Sequence, residues 1–159
     1  HEVVGARMTR RRMKALRYSK KTTEDVSRLV FLHMRPHTYE MGWNDSAVRR
    51  YVRDAGPLLA DLNELVRCDV TTRNRRRERT ISRRIDELEE RIAVLREEEE
   101  LDALRPPIDG NQVMAHLGLE PGRQVGELMK MLYERRIDEG PYSEDEAYAM
   151  LDRWAEEHG

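Results

Sequence analysis

The chain has one cysteine, Cys68, one phenylalanine and nine glycines in 159 residues, and no window approaches the roughly 20 apolar residues of a membrane-crossing helix. A lone cysteine excludes an internal disulfide framework and any multi-cysteine zinc site. It fits a reducing compartment, with the cytoplasm as the expectation and no membrane as a partner. Apolar residues make up only 38% and charged residues another 38%, against about 25% charged in an ordinary domain, so the surface is large relative to the core. The length suits one ordinary domain or two small ones and excludes a large multidomain enzyme. The opening His1-Glu2-Val3-Val4 carries neither an initiator methionine nor a secretory signal and reads as the interior of something longer.

The formal net charge of −2 argues against global disorder and hides a polarity along the chain. Residues 1–80 hold 19 Lys and Arg against 10 Asp and Glu, whereas residues 81–159 hold 10 against 21. A basic half of that size is a footprint for phosphates, nucleic acid or an acidic partner; two halves that neutralise each other within one fold is the alternative.

Apolar residues recur at steps of three and four, so the spacing predicts helices and no strand. Val3 to Leu16 forms the first. Thr22 or Thr23, followed by Glu24 and Asp25, caps a second whose buried stripe is Val26, Leu29, Val30 and His33. Pro36 ends it, His37 to Asn44 reads as a loop, and Asp45 caps a third helix running to Ala55. From Leu58 to Arg105 there are 48 residues without glycine or proline, one very long helix or two abutting ones. Ile81, Ile85, Leu88, Ile92 and Leu95 repeat at coiled-coil steps, too briefly for a free-standing coil, so packing as an antiparallel hairpin against a neighbour is expected. Residues 71–80 have no apolar side chain and must bridge through solvent or meet a polar partner. Beyond Pro106-Pro107, Asp109 with Gln112 and Ser143 with Glu146 predict two capping boxes, with a helix from Arg123 to Glu139 between them. The expected fold is all-α: an elongated helical body with a long helix or helical hairpin, and a small helical C-terminal tail, divided as residues 1–56, 57–105 and 106–159.

Five arginines, Arg73, Arg75, Arg76, Arg77 and Arg79, fall between Thr71 and Arg79 against one Glu. Guanidinium forks suit phosphate oxygens, so contact with an RNA or DNA backbone is the functional reading; a solvated face balanced by glutamates is the other. Arg7, Arg10, Lys14, Arg17 and Lys21 advance by three or four as a second basic stripe. His1, His33, His37 and Asp69, with Glu2, would supply a His/carboxylate metal site, although Pro36 breaks the helical register between the two central histidines. No nucleophile elbow, phosphate-cradling glycine loop or Asp-x-Asp pair is present, so no catalytic centre is visible.

The series Asp109-Gly110-Asn111-Gln112-Val113-Met114, Leu117-Gly118-Leu119-Glu120-Pro121-Gly122, Val125-Gly126-Glu127 and Glu139-Gly140-Pro141 resembles the tail of bacterial CCA tRNA nucleotidyltransferases and their poly(A) polymerase relatives. Asp45-Ser46-Ala47-Val48-Arg49-Arg50-Tyr51 with Gly56, Leu65-Val66-Arg67-Cys68-Asp69 and Thr72-Arg73-Asn74 are similar to the body of actinobacterial members. His1-Glu2-Val3-Val4-Gly5-Ala6 is similar to the interior of their HD-type domain. The resemblance implies that residues 1–56 end an HD-type domain, 57–105 form the body and 106–159 the tail. It further implies that tRNA is the partner. The transfer chemistry, with Mg²⁺, CTP and ATP, then belongs to a head and neck of the same polypeptide outside this chain, and no cofactor is expected firmly bound here. Arg73, Arg75, Arg76 and Arg77, then Arg49, Arg50, Arg10 and Lys14, become the RNA-binding candidates. His1, His33, His37 and Asp69 become remnants of an incomplete HD-type metal site. A metal-dependent phosphohydrolase fragment and a non-catalytic helical interaction module are the competing functions.

Overall fold

The computed structural model describes residues 1–69 and 75–158, with backbone alone for residues 40, 41, 75, 77 and 102. Within them every regular element is helical, which makes the fold all-α. The α-helices are α1 (Glu2–Ala15), α2 (Lys20–Leu32), α3 (Asp45–Ala55), α4 (Leu59–Cys68), α5 (Arg75–Glu99), α6 (Gly110–Leu117), α7 (Arg123–Glu139) and α8 (Glu144–His158). None of the described helices is long and apolar enough to cross a membrane. The glycine-free stretch is two helices, because α4 stops at Cys68 and α5 is a separate element. The chain divides into two compact units, His1–Val94 and Leu95–Gly159, with the division inside α5.

In the first unit α1 and α2 pack as an antiparallel pair. Gly5 permits the close approach, since a Cβ there would lie 3.3 Å from Val30 Cγ1. Such a narrow seam favours small side chains, so Thr23 and Ser27 sit deepest along α2, with Leu32 at its end, and the Ser27 hydroxyl donates to the Thr23 carbonyl at 2.6 Å. The stripe Val26, Leu29, Val30 and His33 is correspondingly only half-buried. Ser19, rather than Thr22 or Thr23, caps α2 by accepting from the Thr22 amide at 3.1 Å. Asn44, rather than Asp45, caps α3 through the Ala47 amide at 2.9 Å. The expected loop after Pro36 is instead a 3₁₀ turn, Arg35–Met41, with the proline at its start, where a missing amide proton costs nothing. Buried Val48, Tyr51, Val52 and Ala55 of α3, Leu59, Leu62 and Val66 of α4, and Ile81, Ile85, Leu88 and Ile92 of α5 supply the unit's remaining core.

Asp54 ties several of these elements together. Its backbone carbonyl accepts from Arg28 Nε at 2.7 Å, and its carboxylate accepts from Arg35 and from Arg53 Nε at 3.0 Å. Burial alone would raise the Asp54 carboxyl, but the hydrogen bonds and charges of Arg35 and Arg53 outweigh it and hold the group below its ordinary value.

The second unit is built on Ile108, Val113, Val125, Leu128, Leu132, Ala147 and Leu151. Both capping boxes form as the spacing predicts. The Asp109 carboxylate accepts from the Gln112 amide and the Gln112 side chain from the Asp109 amide, each at 2.9 Å, while Ser143 and Glu146 exchange bonds of 3.2 and 2.8 Å. The backbone bond from Ser143 is the main cause holding the Glu146 carboxyl below its usual range. Gly118 ends α6 at φ 65°, the left-handed position glycine accepts without strain. Arg136 is buried with its partner Glu99, its two terminal nitrogens donating to the carboxylate at 2.7 Å and to the backbone carbonyl at 2.6 Å.

Because the folded pKa of Asp54 is depressed, its contribution is present above the unfolded pKa and is lost as pH falls through the folded one. Asp54→Asn therefore lowers stability at pH 7 by about 1–2 kcal/mol. Urea unfolding at pH 7 and below pH 4 checks this: the gap between the two proteins closes in acid.

Candidate nucleic-acid interface

The basic run at the start of α5 is the strongest candidate, and its scaffold is built from the residues behind it. Val66 of α4 packs on Ile81 and Ile85 of α5. Arg67 donates to Asp86 at 2.7 Å and to Glu89 at 2.6 Å, and Asn63 Nδ2 donates to Glu89 at 3.0 Å. Rising numbers on α4 meet falling numbers on α5, so the two form the antiparallel hairpin the heptad spacing predicts. The hydrogen bonds that Arg67 donates to Glu89, then to Asp86, raise its guanidinium further above its already high range, fixing its charge. Behind them the Tyr51 hydroxyl donates to Asn63 Oδ1 at 2.7 Å. Burial and the neighbouring Glu89 charge push this phenol far up, which keeps its proton in place. Arg91 closes the far end onto Asp45 at the start of α3.

On this anchored helix Arg76, Arg79 and Arg83 are exposed, and with Thr80 they line a concavity of about 440 Å³. Steps of three and four put them on one ridge. Arg83 makes only a loose contact with Glu87, 3.6 Å between two exposed side chains. The helix macrodipole places positive charge at the same end, where Glu78 is the one acidic residue of the first turn. Gathering arginines there works against helix stability, and an anion placed among them relieves the conflict.

The other candidates fall differently. Arg73 lies outside the described residues, and Arg75 and Arg77 belong to α5 by backbone alone. Arg49 of α3 is buried, 5% exposed, unlike the exposed arginines of α5. Arg50 is half-buried and donates to Ser46 at 3.2 Å. Arg10 and Lys14 are exposed on α1 together with Arg7. The predicted stripe is cut short because α1 stops at Ala15: Arg17 sits in the turn at φ 61°, and Lys21 belongs to α2, paired with Asp25. Arg83, which the sequence pattern did not single out, was signalled by its spacing of seven from Arg76.

The proposed metal ligands are not brought together as a set. His33 Nδ1 donates to the Val30 carbonyl, which leaves Nε2 facing Asp69 at 3.8 Å. Among the described residues no three His, Cys, Asp or Glu side chains are placed to hold an ion. A larger groove in the second unit, about 680 Å³, is lined by Glu98, Glu99, Glu100 and Asp109 against Arg105 and Arg136, an acidic balance unsuited to phosphate.

Two known proteins are similar to the chain along nearly its whole length. It is 32% identical over 157 residues to the A-adding tRNA nucleotidyltransferase of Deinococcus radiodurans, covering 99% of the chain and 35% of that protein. It is 34% identical over 156 residues to the CC-adding tRNA nucleotidyltransferase of Thermus thermophilus, covering 97% and 33%. The chain thus spans about a third of the length of the curated relatives it matches. No family model matches it, and no solved structure matches it significantly.

The clasp behind the arginine row has a measurable weight. Arg67→Met is expected to cost about 1–3 kcal/mol, because Asp86 and part of Glu89 lose a charged donor. Urea unfolding by circular dichroism gives the loss, and amide exchange in the first half of α5 accelerates before exchange in α7.

Proposed function

We propose that this chain, similar throughout to tRNA nucleotidyltransferases, is the body and tail of such an enzyme and holds the tRNA whose 3′ end is extended from CTP and ATP elsewhere in the polypeptide. The observation that carries the reading is the row Arg76, Arg79 and Arg83, exposed on a helix whose opposite face is locked to α4. Guanidinium forks pair with successive phosphates and read backbone shape rather than sequence, which suits a partner recognised as a structured RNA. Arg73, Arg75 and Arg77 extend the same run in the sequence, and Arg7, Arg10 and Lys14 offer a second basic face on α1.

The division of labour follows from what the residues provide. The relatives' names differ in the nucleotides added, one A and the other CC, yet the chain matches both at similar identity. Its residues therefore serve a step common to both, and gripping the acceptor RNA is such a step. In this reading the Mg²⁺, CTP and ATP of the transfer step are held by a head and neck of the same polypeptide. In this reading residues 1–56 end an HD-type domain, 57–105 are the body and 106–159 the tail, and the protein works in the cytoplasm.

Binding to tRNA lacking its CCA end, against an unrelated hairpin of equal length across a salt series, tests the proposal. The chain is expected to prefer the tRNA with a steep salt slope. Replacing Arg76, Arg79 and Arg83 together with Glu weakens binding at least tenfold and flattens the log–log slope by about 0.9 for each phosphate no longer neutralised, at unchanged helicity. Unaltered binding by the triple variant rejects the row as the RNA-contacting surface.

A further inference from the structure

We propose that the Thr80 hydroxyl, set among Arg76, Arg79 and Arg83 on α5, accepts a hydrogen bond from a ribose 2′-hydroxyl and so lets this surface tell RNA from DNA. The inference rests on the proposed function and names a feature of the partner that the arginine row does not read.

Arginine forks pair with phosphates, and phosphates are the same in RNA and DNA. The row therefore supplies affinity without distinguishing the two. Among the described residues that line the concavity, Thr80 alone is uncharged. At about 100° per residue it falls between the arginine row and buried Ile81, on the flank of the helix rather than its crest. It is accordingly half-buried, where Arg76 and Arg79 are exposed. Arg76 and Arg83 stand about 10 Å apart along the axis with Thr80 between them, so a strand whose phosphates pair with both carries a ribose past it.

The hydrogen bond that Thr80 already makes sets what it can recognise. Its Oγ1 donates to the Arg76 carbonyl at 2.9 Å, the back-bond open to a threonine inside a helix. The single hydroxyl proton is thereby engaged, and the oxygen keeps acceptor capacity toward the concavity. The matching group is a donor. Phosphate oxygens only accept, whereas the 2′-hydroxyl donates, lies beside the phosphates of an A-form strand and is missing from DNA. A base amino group also donates, but it sits on the base edge, farther from the phosphates that would fix the strand on the arginines.

A deoxynucleotide scan tests the assignment. Single 2′-deoxy substitutions are placed along tRNA lacking its CCA end, and binding to residues 1–159 is measured for the unaltered chain, Thr80→Val and Thr80→Ser. One or two positions are expected to weaken binding of the unaltered chain about three- to tenfold, the effect of one hydrogen bond. Thr80→Val is expected to bind unmodified tRNA more weakly by a similar factor and to be indifferent to those substitutions, while Thr80→Ser stays sensitive to them. Because the lost contact carries no charge, the salt slope of Thr80→Val is unchanged. A Thr80→Val chain that keeps full sensitivity at every position overturns the proposal, as does a scan in which no position matters. A flattened salt slope in Thr80→Val overturns it too, by showing that the threonine acts through the placement of the arginines. No tRNA binding by the unaltered chain at low salt retires the RNA-holding function and this inference together; tRNA binding without the loss of sensitivity retires this inference alone.

Discussion

The contact on which the first unit depends is the carboxylate of Glu89 held between Arg67 and Asn63. It joins α4 to α5, and through the Tyr51 hydroxyl on Asn63 it reaches the interior of α3. Apolar packing alone, Val66 on Ile81 and Ile85, would leave the two helices free to slide by a turn at modest cost. A carboxylate with three directional donors admits one register. The exposed arginines at the start of α5 inherit their position from that choice, so the geometry of the basic row is set by a polar group on the opposite side of the helix.

The two units answer the same shortage of apolar residues in different ways. The first brings α1 and α2 close enough for a glycine to meet a valine and uses threonine and serine as filling. The second gathers its apolar residues in one cluster and relies on helix ends that cap themselves. A high fraction of charged residues is compatible with both because most of them stay at the surface, and Arg136, which is taken inside, is paired with Glu99.

Much of this was legible in the residues. The 3.6-residue period, the two capping boxes and the limits of α7 follow from local chemistry and appear where the spacing puts them. The buried stripe Ile81 to Leu95 was equally plain. What could not be read is a choice between near-equal caps and, beyond that, what is non-local. Whether Ser19 or Thr22 caps α2 turns on which residue leaves the helix first, and both are good caps. That Arg49 lies inside while Arg76 lies outside depends on which face of each helix meets a neighbour, a fact about partners distant in the chain. The His33–Asp69 approach was foreseeable as a pair but not as an isolated one.

The self-capping helix starts of the second unit also bear on how it folds. Asp109 with Gln112 and Ser143 with Glu146 satisfy the amides of α6 and α8 using residues three positions away, and the Tyr142 hydroxyl, its pKa pushed up to about 12 by burial, donates to the Leu132 carbonyl only ten residues earlier at 2.7 Å. Contacts so short in sequence close small loops at little entropic cost. The first unit must join Asp45 to Arg91 across 46 residues before its clasp is complete. The second unit likewise joins Glu99 to Arg136 across 37 residues, so it is the starts of α6 and α8, not the whole unit, that form from local contacts.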